Sequence, residues 1–300
     1  MEFYSHGKVL ISAEYTVLQG VKALALPTQL GQSLSINYTA SGHIKWESYA
    51  HDETCWIEGV FDFNGHCISE NKTPKPILNR LEKILTVINE LSPGYYQKGV
   101  EIKTKLNFPR NWGLGSSSTL INNLAQWLKI NPYLLLEKTF GGSGYDVAVA
   151  QIGQPLFYTR NGEKPIIDPI EFSPKFSSAL YFVYLNQKRD SQEAVALFQK
   201  NQHPNPRINQ RIEAISNQLS QCDAQLDFNH LLKEHEALTA QLLGETPIQQ
   251  RLFPDFNGQI KSLGAWGGDF ILVSGDKDTP FYFKSKGYET ILPFSNFIRA

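Results

Sequence analysis

Asn111-Trp112-Gly113-Leu114-Gly115-Ser116-Ser117-Ser118 opens a run that continues Thr119-Leu120-Ile121-Asn122-Asn123-Leu124-Ala125-Gln126-Trp127-Leu128. Leu120, Leu124 and the Trp127-Leu128 pair recur at helical spacing, which predicts a helix with the glycine–serine stretch at its N-terminus. Glycines let backbone N–H groups come close to an anion, and a helix start adds unpaired donors and a partial positive charge. Serine hydroxyls there can bond a phosphate oxygen or hold Mg²⁺; equally, a serine there can simply cap the helix. No lysine follows in the G-x-x-x-x-G-K-[ST] register and the glycines lack G-x-G-x-x-G spacing. The segment is therefore neither a Walker A loop nor a dinucleotide fingerprint.

On the N-terminal side the chain reads as strands with one interrupting helix. Ser33–Tyr38 and Val100–Leu106 alternate polar and apolar residues, and Trp56–Phe61 runs into Asn64-Gly65, a hairpin turn signal. Ile77, Leu81, Ile84, Ile88 and Leu91 follow one another at spacings of 4, 3, 4 and 3, with Pro74 and Pro76 before them and Pro93-Gly94 after, which predicts a helix. On the C-terminal side helices dominate, with apolar stripes at Ile208, Ile212, Ile215, Leu219 and at Leu231, His235, Leu238, Leu242. His235, on such a stripe, reads as a core histidine. Strands are expected at Leu180–Leu185, Phe270–Val273 and Phe281–Phe283. Gly162, Pro165, Pro169 and Pro174 mark a boundary between residues 160 and 175. Strands first, then mixed helices and strands without strict βα alternation, predict an α+β fold.

Three further segments carry chemistry. Gly141-Gly142-Ser143-Gly144-Tyr145-Asp146 places an acid directly after a tight glycine turn, where it can receive a proton or cap a helix. Lys261-Ser262-Leu263-Gly264-Ala265-Trp266-Gly267-Gly268-Asp269 crowds glycines before a strand, the mark of unusual torsions or a close ligand. His6-Gly7-Lys8 puts a lysine inside a first strand, either facing a cleft or discouraging edge pairing. Lys188-Arg189 precede the capping box Asp190-x-x-Glu193, so they form an anion site at a helix start or an exposed basic loop. Arg110, beside the glycine–serine loop, is open to the same two readings.

Taken in order, Gly7-Lys8-x5-Glu14-Tyr15, Gly-Leu-Gly-Ser-Ser, Gly144-Tyr145-Asp146-Val147-Ala148 and the loop ending at Asp269 resemble the GHMP kinase superfamily, from Gly7 to Val273. Ala13-Glu14-Tyr15, Gly144–Ala148 and Asp269 are more similar to phosphomevalonate kinases than to mevalonate kinases, whereas 300 residues is the length of a compact mevalonate kinase. Trp266 stands where the family usually has glycine. The resemblance implies a two-lobed α+β fold: an N-terminal lobe over residues 1–165, ribosomal S5 domain 2-like, and a C-terminal lobe over 166–300, a ferredoxin-like split βαβ. It implies ATP and Mg²⁺ as cofactors, with Gly113, Leu114, Gly115, Ser116, Ser117 and Ser118 around the ATP phosphates, and Ser117 and Glu137 on the metal.

By the same resemblance Asp146 orients the acceptor hydroxyl and takes its proton, Lys8 supports the carboxylate and the transferred oxygens, and Lys188, Arg189, Gly264, Trp266, Gly267, Gly268 and Asp269 contact the acceptor. The implied activity is phosphorylation of 5-phosphomevalonate or mevalonate on the route to isoprenoids. The alternatives are diphosphomevalonate decarboxylase, another small-molecule kinase of the superfamily, or a non-catalytic ligand sensor. A sugar kinase usually carries Glu-His-x-Asp in its first motif, which Glu14-Tyr15-Thr16-Val17 does not match.

Composition narrows the partners. Lys and Arg number 28 against 29 Asp and Glu, a net charge of -1 that gives no electrostatic reason to expect nucleic acid or an anionic membrane. With 41% hydrophobic and 19% charged residues the chain can build a full core. Neither a signal-peptide pattern nor an apolar run of about 18 residues is present, so a cytoplasmic protein, monomer or homodimer, is expected. Three cysteines are too few for a disulfide framework, and His51, Cys55, His66 and Cys67 lack the spacing of a zinc site. The G-x-S-x-G elbow and the protein-kinase landmarks are also missing.

Overall fold

The computed structural model describes residues 1–69, 73–95, 98–162, 164–187, 195–196, 198, 200, 205–266 and 268–299. The chain clusters into two compact units. Unit 1 comprises residues 1–7, 30–110 and 115–151, and unit 2 comprises 8–29, 111–114 and 152–300. Lys8–Gln29 and Asn111–Leu114 thus pack with the C-terminal half, although the chain-order division of 1–165 and 166–300 assigns them to the first lobe. The fold is α+β.

In unit 1, β3 (Ile44–Tyr49) pairs antiparallel with β4 (Cys55–Phe61) and parallel with β5 (Gly99–Leu106). β5 in turn pairs antiparallel with residues 32–39 of the long strand β2 (Ala23–Thr39), itself flanked by β1 (Glu2–Leu10). The alternation read from the sequence sets the register: Ile36 and Trp46 both lie opposite Ile102. The inward-facing residues are buried against α1 (Lys75–Leu91), α2 (Ser116–Leu128) and α3 (Pro132–Thr139). The α1 stripe reaches the core through Leu81, Ile84 and Ile88, with Pro74 as N-cap and Pro76 in the first turn, where a missing N–H costs no helical bond. α4 (Tyr145–Ile152) completes the unit. After the Asn64-Gly65 turn the chain returns along the free edge of β4, where Phe61 and Cys67 form a bridge and the Ile68 N–H donates to the Val60 carbonyl at 2.8 Å.

In unit 2, residues 23–25 of β2 pair with β6 (Leu156–Thr159), and β6 pairs with β7 (Ile166–Pro169). A four-stranded antiparallel sheet runs in the order β11 (Ile291–Pro293), β8 (Leu180–Tyr184), β10 (Phe270–Ser274), β9 (Gln259–Ser262). All residues of β8, β9 and β10 are buried, so this sheet is covered on both faces. α5 (Pro206–Ser220) packs on α6 (Gln225–Leu243), and α6 on β9. One face of the sheet carries Tyr181, Val183, Ile260, Ile271 and Val273 against α7 (Ile248–Leu252) and Phe283. α9 (Phe294–Phe297) lies near the C-terminus. Among the described residues no helix is long and apolar enough to cross a membrane.

Two sequence expectations are corrected. Phe281–Phe283 is not a strand but the middle of helix α8 (Thr279–Ser285): Pro280 sits in its first turn, Phe281 is 72% exposed and Phe283 fully buried. Aromatic β-propensity pointed to a strand, and a proline-started helix overrode it. The stripe assigned to α6 holds at His235 and Leu242 and fails at Leu231 and Leu238. Leu231 and Leu238 are only half-buried, and the buried face is Phe228, Leu232, His235, Glu236, Thr239 and Leu242, polar at its centre. Lys188, Arg189, the Asp190–Glu193 capping box and Gly267 lie outside the described residues.

Candidate functional site

The glycine–serine loop passes from unit 2 into unit 1 at Gly115. Within unit 1, α2 begins at Ser116 with Gly115 as N-cap in the left-handed region (φ 86°), a conformation open to glycine at little cost. No side chain caps this helix. Ser116 is half-buried, Ser117 exposed and Ser118 buried. Thr119 braces the turn, its hydroxyl lying 3.0 Å from the Ser116 carbonyl and 2.8 Å from Gln32 Oε1. A helix start with uncapped donors and an exposed serine suits an anion with several oxygens. Asp146 lies in the first turn of α4, half-buried, where its Oδ1 accepts the Val147 N–H at 3.1 Å. Glu137 is exposed on α3, and Arg110 stacks its guanidinium 3.6 Å from the centre of the Trp56 ring.

Within unit 2 the front of the same loop is clamped by three segments. Lys8 donates its backbone N–H to the Leu114 carbonyl at 3.0 Å and its ammonium to the Gly113 carbonyl at 3.1 Å. The Tyr184 hydroxyl donates to the Asn111 carbonyl at 3.2 Å, and burial together with the Asp269 charge pushes its pKa up, keeping it a donor. Trp112 meets Phe270 edge-on at 5.3 Å. Asp269, largely buried, accepts the Leu185 N–H at its backbone carbonyl at 2.8 Å and presses its carboxylate against Gly113.

Gly113 has φ 67°, and a Cβ placed on it would fall within the van der Waals sphere of Asp269 Oδ2. Gly113→Ala therefore combines a left-handed penalty of about 1–2 kcal/mol with displacement of a buried carboxylate. The melting temperature of the variant should fall by several degrees, as read by thermal melts.

The third glycine-rich loop contains Gly264, Ala265, Trp266 and Gly268 among the described residues. Tyr15, from the first motif, donates its hydroxyl to the Ala265 carbonyl at 3.0 Å. Trp266 adopts φ 52° yet is 2% exposed. Trp266→Gly relieves about 1–2 kcal/mol of left-handed strain but forfeits about 3–5 kcal/mol of buried indole. Burial wins: thermal melts of the variant should fall by several degrees.

Beneath the first motif lies a wholly buried cluster of charged groups. Lys261, in β9, donates its ammonium to Glu14 Oε1 and to the Ser262 carbonyl. Glu236 accepts from the Ser262 N–H at 3.1 Å and the Ser262 hydroxyl at 2.7 Å. His235 Nε2 accepts the Ala13 N–H at 2.9 Å, which leaves the ring proton on Nδ1, facing the Thr239 hydroxyl at 3.3 Å. Burial holds its pKa well below the usual histidine value, so the ring is neutral and the expected core histidine is also a backbone acceptor. Burial raises the pKa of Glu14 against the opposing pull of Lys261, and raises that of Glu236 likewise. This cluster was not legible in the sequence beyond one signal, a lysine inside a strand followed by a serine.

Also unforeseen is a buried polar chain in unit 1. Asn122 donates to the Ala150 carbonyl at 3.0 Å and to Ser5 Oγ at 2.9 Å, Ser5 donates to Asn123 Oδ1 at 2.7 Å, and Asn123 donates to the Gln32 carbonyl at 2.9 Å. Two adjacent asparagines within the α2 apolar stripe were its only trace. Among the described residues no group of three His, Cys, Asp or Glu side chains is placed to hold a metal.

No family model matches the chain, and no curated protein does. Solved structures match along its whole length. The mevalonate kinase of Methanococcus jannaschii is 17% identical with a TM-score of 0.71, covering 100% of this chain and 98% of its own. The phosphomevalonate kinase of Streptococcus pneumoniae, in complex with phosphomevalonate and AMPPNP, is 15% identical with a TM-score of 0.70, covering 95% of each. The galactokinase of Lactococcus lactis, complexed with galactose, is 14% identical with a TM-score of 0.72, covering 99% of this chain and 92% of its own. With its mixed N-terminal sheet, its four-stranded antiparallel C-terminal sheet and these full-length likenesses, the chain has the fold of the GHMP kinase superfamily.

Proposed function

We propose that this protein is an ATP- and Mg²⁺-dependent kinase that transfers a phosphoryl group to the hydroxyl of a small acceptor, 5-phosphomevalonate or mevalonate. The observation that carries this reading is the Lys8 ammonium on the Gly113 carbonyl, which joins the first motif to the phosphate loop. Gly113–Ser118 would receive the phosphates through backbone donors, and Ser117, exposed at the helix start, would offer its hydroxyl to Mg²⁺. Glu137 is the carboxylate proposed to complete that metal site. The bound Mg²⁺ would neutralise phosphate charge and leave the phosphorus open to attack.

Asp146 would hold the acceptor hydroxyl by accepting its hydrogen bond. A carboxylate is much too weak a base to strip an alcohol beforehand, so its proton uptake fits a late step, once the new oxygen–phosphorus bond is forming. Lys8 would offset charge on the transferred oxygens. Gly264, Trp266, Gly268 and Asp269 are proposed on the acceptor side, as are Lys188, Arg189 and Gly267 of the undescribed stretches. With galactokinase as similar in fold as the mevalonate kinase, galactose belongs in the test. Coupled ADP release should be measured against mevalonate, 5-phosphomevalonate, 5-diphosphomevalonate, galactose and homoserine side by side, with trapping of CO₂. ADP with 5-phosphomevalonate or mevalonate and no CO₂ supports the reading. CO₂ release identifies a decarboxylase, and binding without ADP a sensor; either overturns it.

A further inference from the structure

We propose that Asn122 is a positioning residue that fixes Asp146 relative to the phosphate-binding helix; this rests on the kinase reading above. Ala150 lies in the last turn of α4, where helical carbonyls lack an internal partner, and Asn122 supplies one at 3.0 Å. Asp146 and Ala150 are four residues apart and share one face of α4, about 6 Å along the axis. On α2, Ser118 and Asn122 are likewise four apart and share a face. One side-chain amide therefore ties the last turn of α4, whose first turn carries Asp146, to α2, whose N-terminus carries Gly115–Ser118.

The link is buried from water. Asn122 is 1% exposed and commits both amide hydrogens, one to Ala150 and one to Ser5. Ser5 donates in turn to Asn123, and Asn123 to the Gln32 carbonyl in β2. Leucine or alanine would satisfy an apolar helix stripe better, so a polar residue here serves the arrangement more than the stability. In-line phosphoryl transfer is sensitive to ångström-scale misplacement of the acceptor, which is the quantity this amide controls.

The test compares the wild type with Asn122→Ala, Asn122→Leu and Asn123→Ala, by ADP release with the best acceptor, normalised to folded protein from thermal melts. Asn123 is as buried but bonds only Ser5 and Gln32, not α4, so its loss reports the stability effect alone. Both Asn122 variants should lose at least tenfold in kcat per folded molecule with KM for ATP within about twofold, and Asn123→Ala should keep kcat within about threefold. Unchanged kcat in either folded Asn122 variant, or an equal fall in Asn123→Ala, overturns the proposal. A wild type that releases no ADP with any acceptor overturns the kinase reading and this inference with it; an active wild type with indifferent Asn122 variants overturns the inference alone.

Discussion

Asp146→Asn should reduce turnover by about a thousandfold or more while leaving the fold and nucleotide binding in place. The substitution is nearly isosteric, and an asparagine Oδ1 can still accept the Val147 N–H that Asp146 Oδ1 accepts at 3.1 Å. Helix α4 therefore keeps its start, and only the charge and the proton-accepting oxygen are removed. If Asp146 merely braced the helix, the amide would serve as well and turnover would stay within tenfold of wild type. The measurement is steady-state ADP release with the best acceptor, together with a thermal melt and an ATP titration. Turnover within tenfold at an unchanged melting temperature removes Asp146 from the mechanism.

The parts of the fold that follow a period were readable from the chain. The α1 stripe and the alternation in β2 and β5 are local patterns, and burial in unit 1 follows them residue by residue. The glycine–serine segment was readable for another reason: backbone torsion demands glycine at Gly115 whatever surrounds it. Where local preference and tertiary context disagreed, context won. Phe281–Phe283 has strand-like residues but follows a proline that starts a helix, and Phe283 is buried in the core, Tyr282 packs against it and Phe281 faces outward.

The buried face of α6 was read only in part: His235 was placed on it, but Glu236 and Thr239 also occupy it, and His235 and Glu236 are satisfied by the first motif and β9, distant in sequence. Asn122 and Asn123 escaped for the same reason. A polar pair within a helix reads as solvated until its partners, Ser5 and Gln32, are seen more than 90 residues away. The candidate site is thus legible in its backbone motifs, while the side chains that hold those motifs in place are not.

Lys261→Met should be the most destabilising single substitution in unit 2, costing about 3–5 kcal/mol, or on the order of 10 °C in melting temperature. Lys261 and Glu14 are both fully buried, and Glu236 is 2% exposed; removing the ammonium strands two carboxylates away from water. His235 cannot replace it, since burial keeps the ring neutral and Nε2 is occupied by the Ala13 N–H. The sign of the pH dependence follows from the raised pKa values of Glu14 and Glu236, both caused first by burial. A carboxyl whose folded pKa exceeds its unfolded value adds stability below the unfolded pKa, and that stability is lost as pH rises through the folded pKa. Without Lys261, whose charge pulls both values down, the loss extends to higher pH, so the gap between variant and wild type should be small below pH 4.5 and largest above neutrality. Glu14→Leu combined with Lys261→Met removes one stranded charge along with its partner and should recover more than half of the lost stability. Melts of the three proteins from pH 4.5 to 8 decide the matter. A gap that does not widen with pH, or a double variant no better than Lys261→Met, would show that Lys261 holds unit 2 together through its packing and not through its charge.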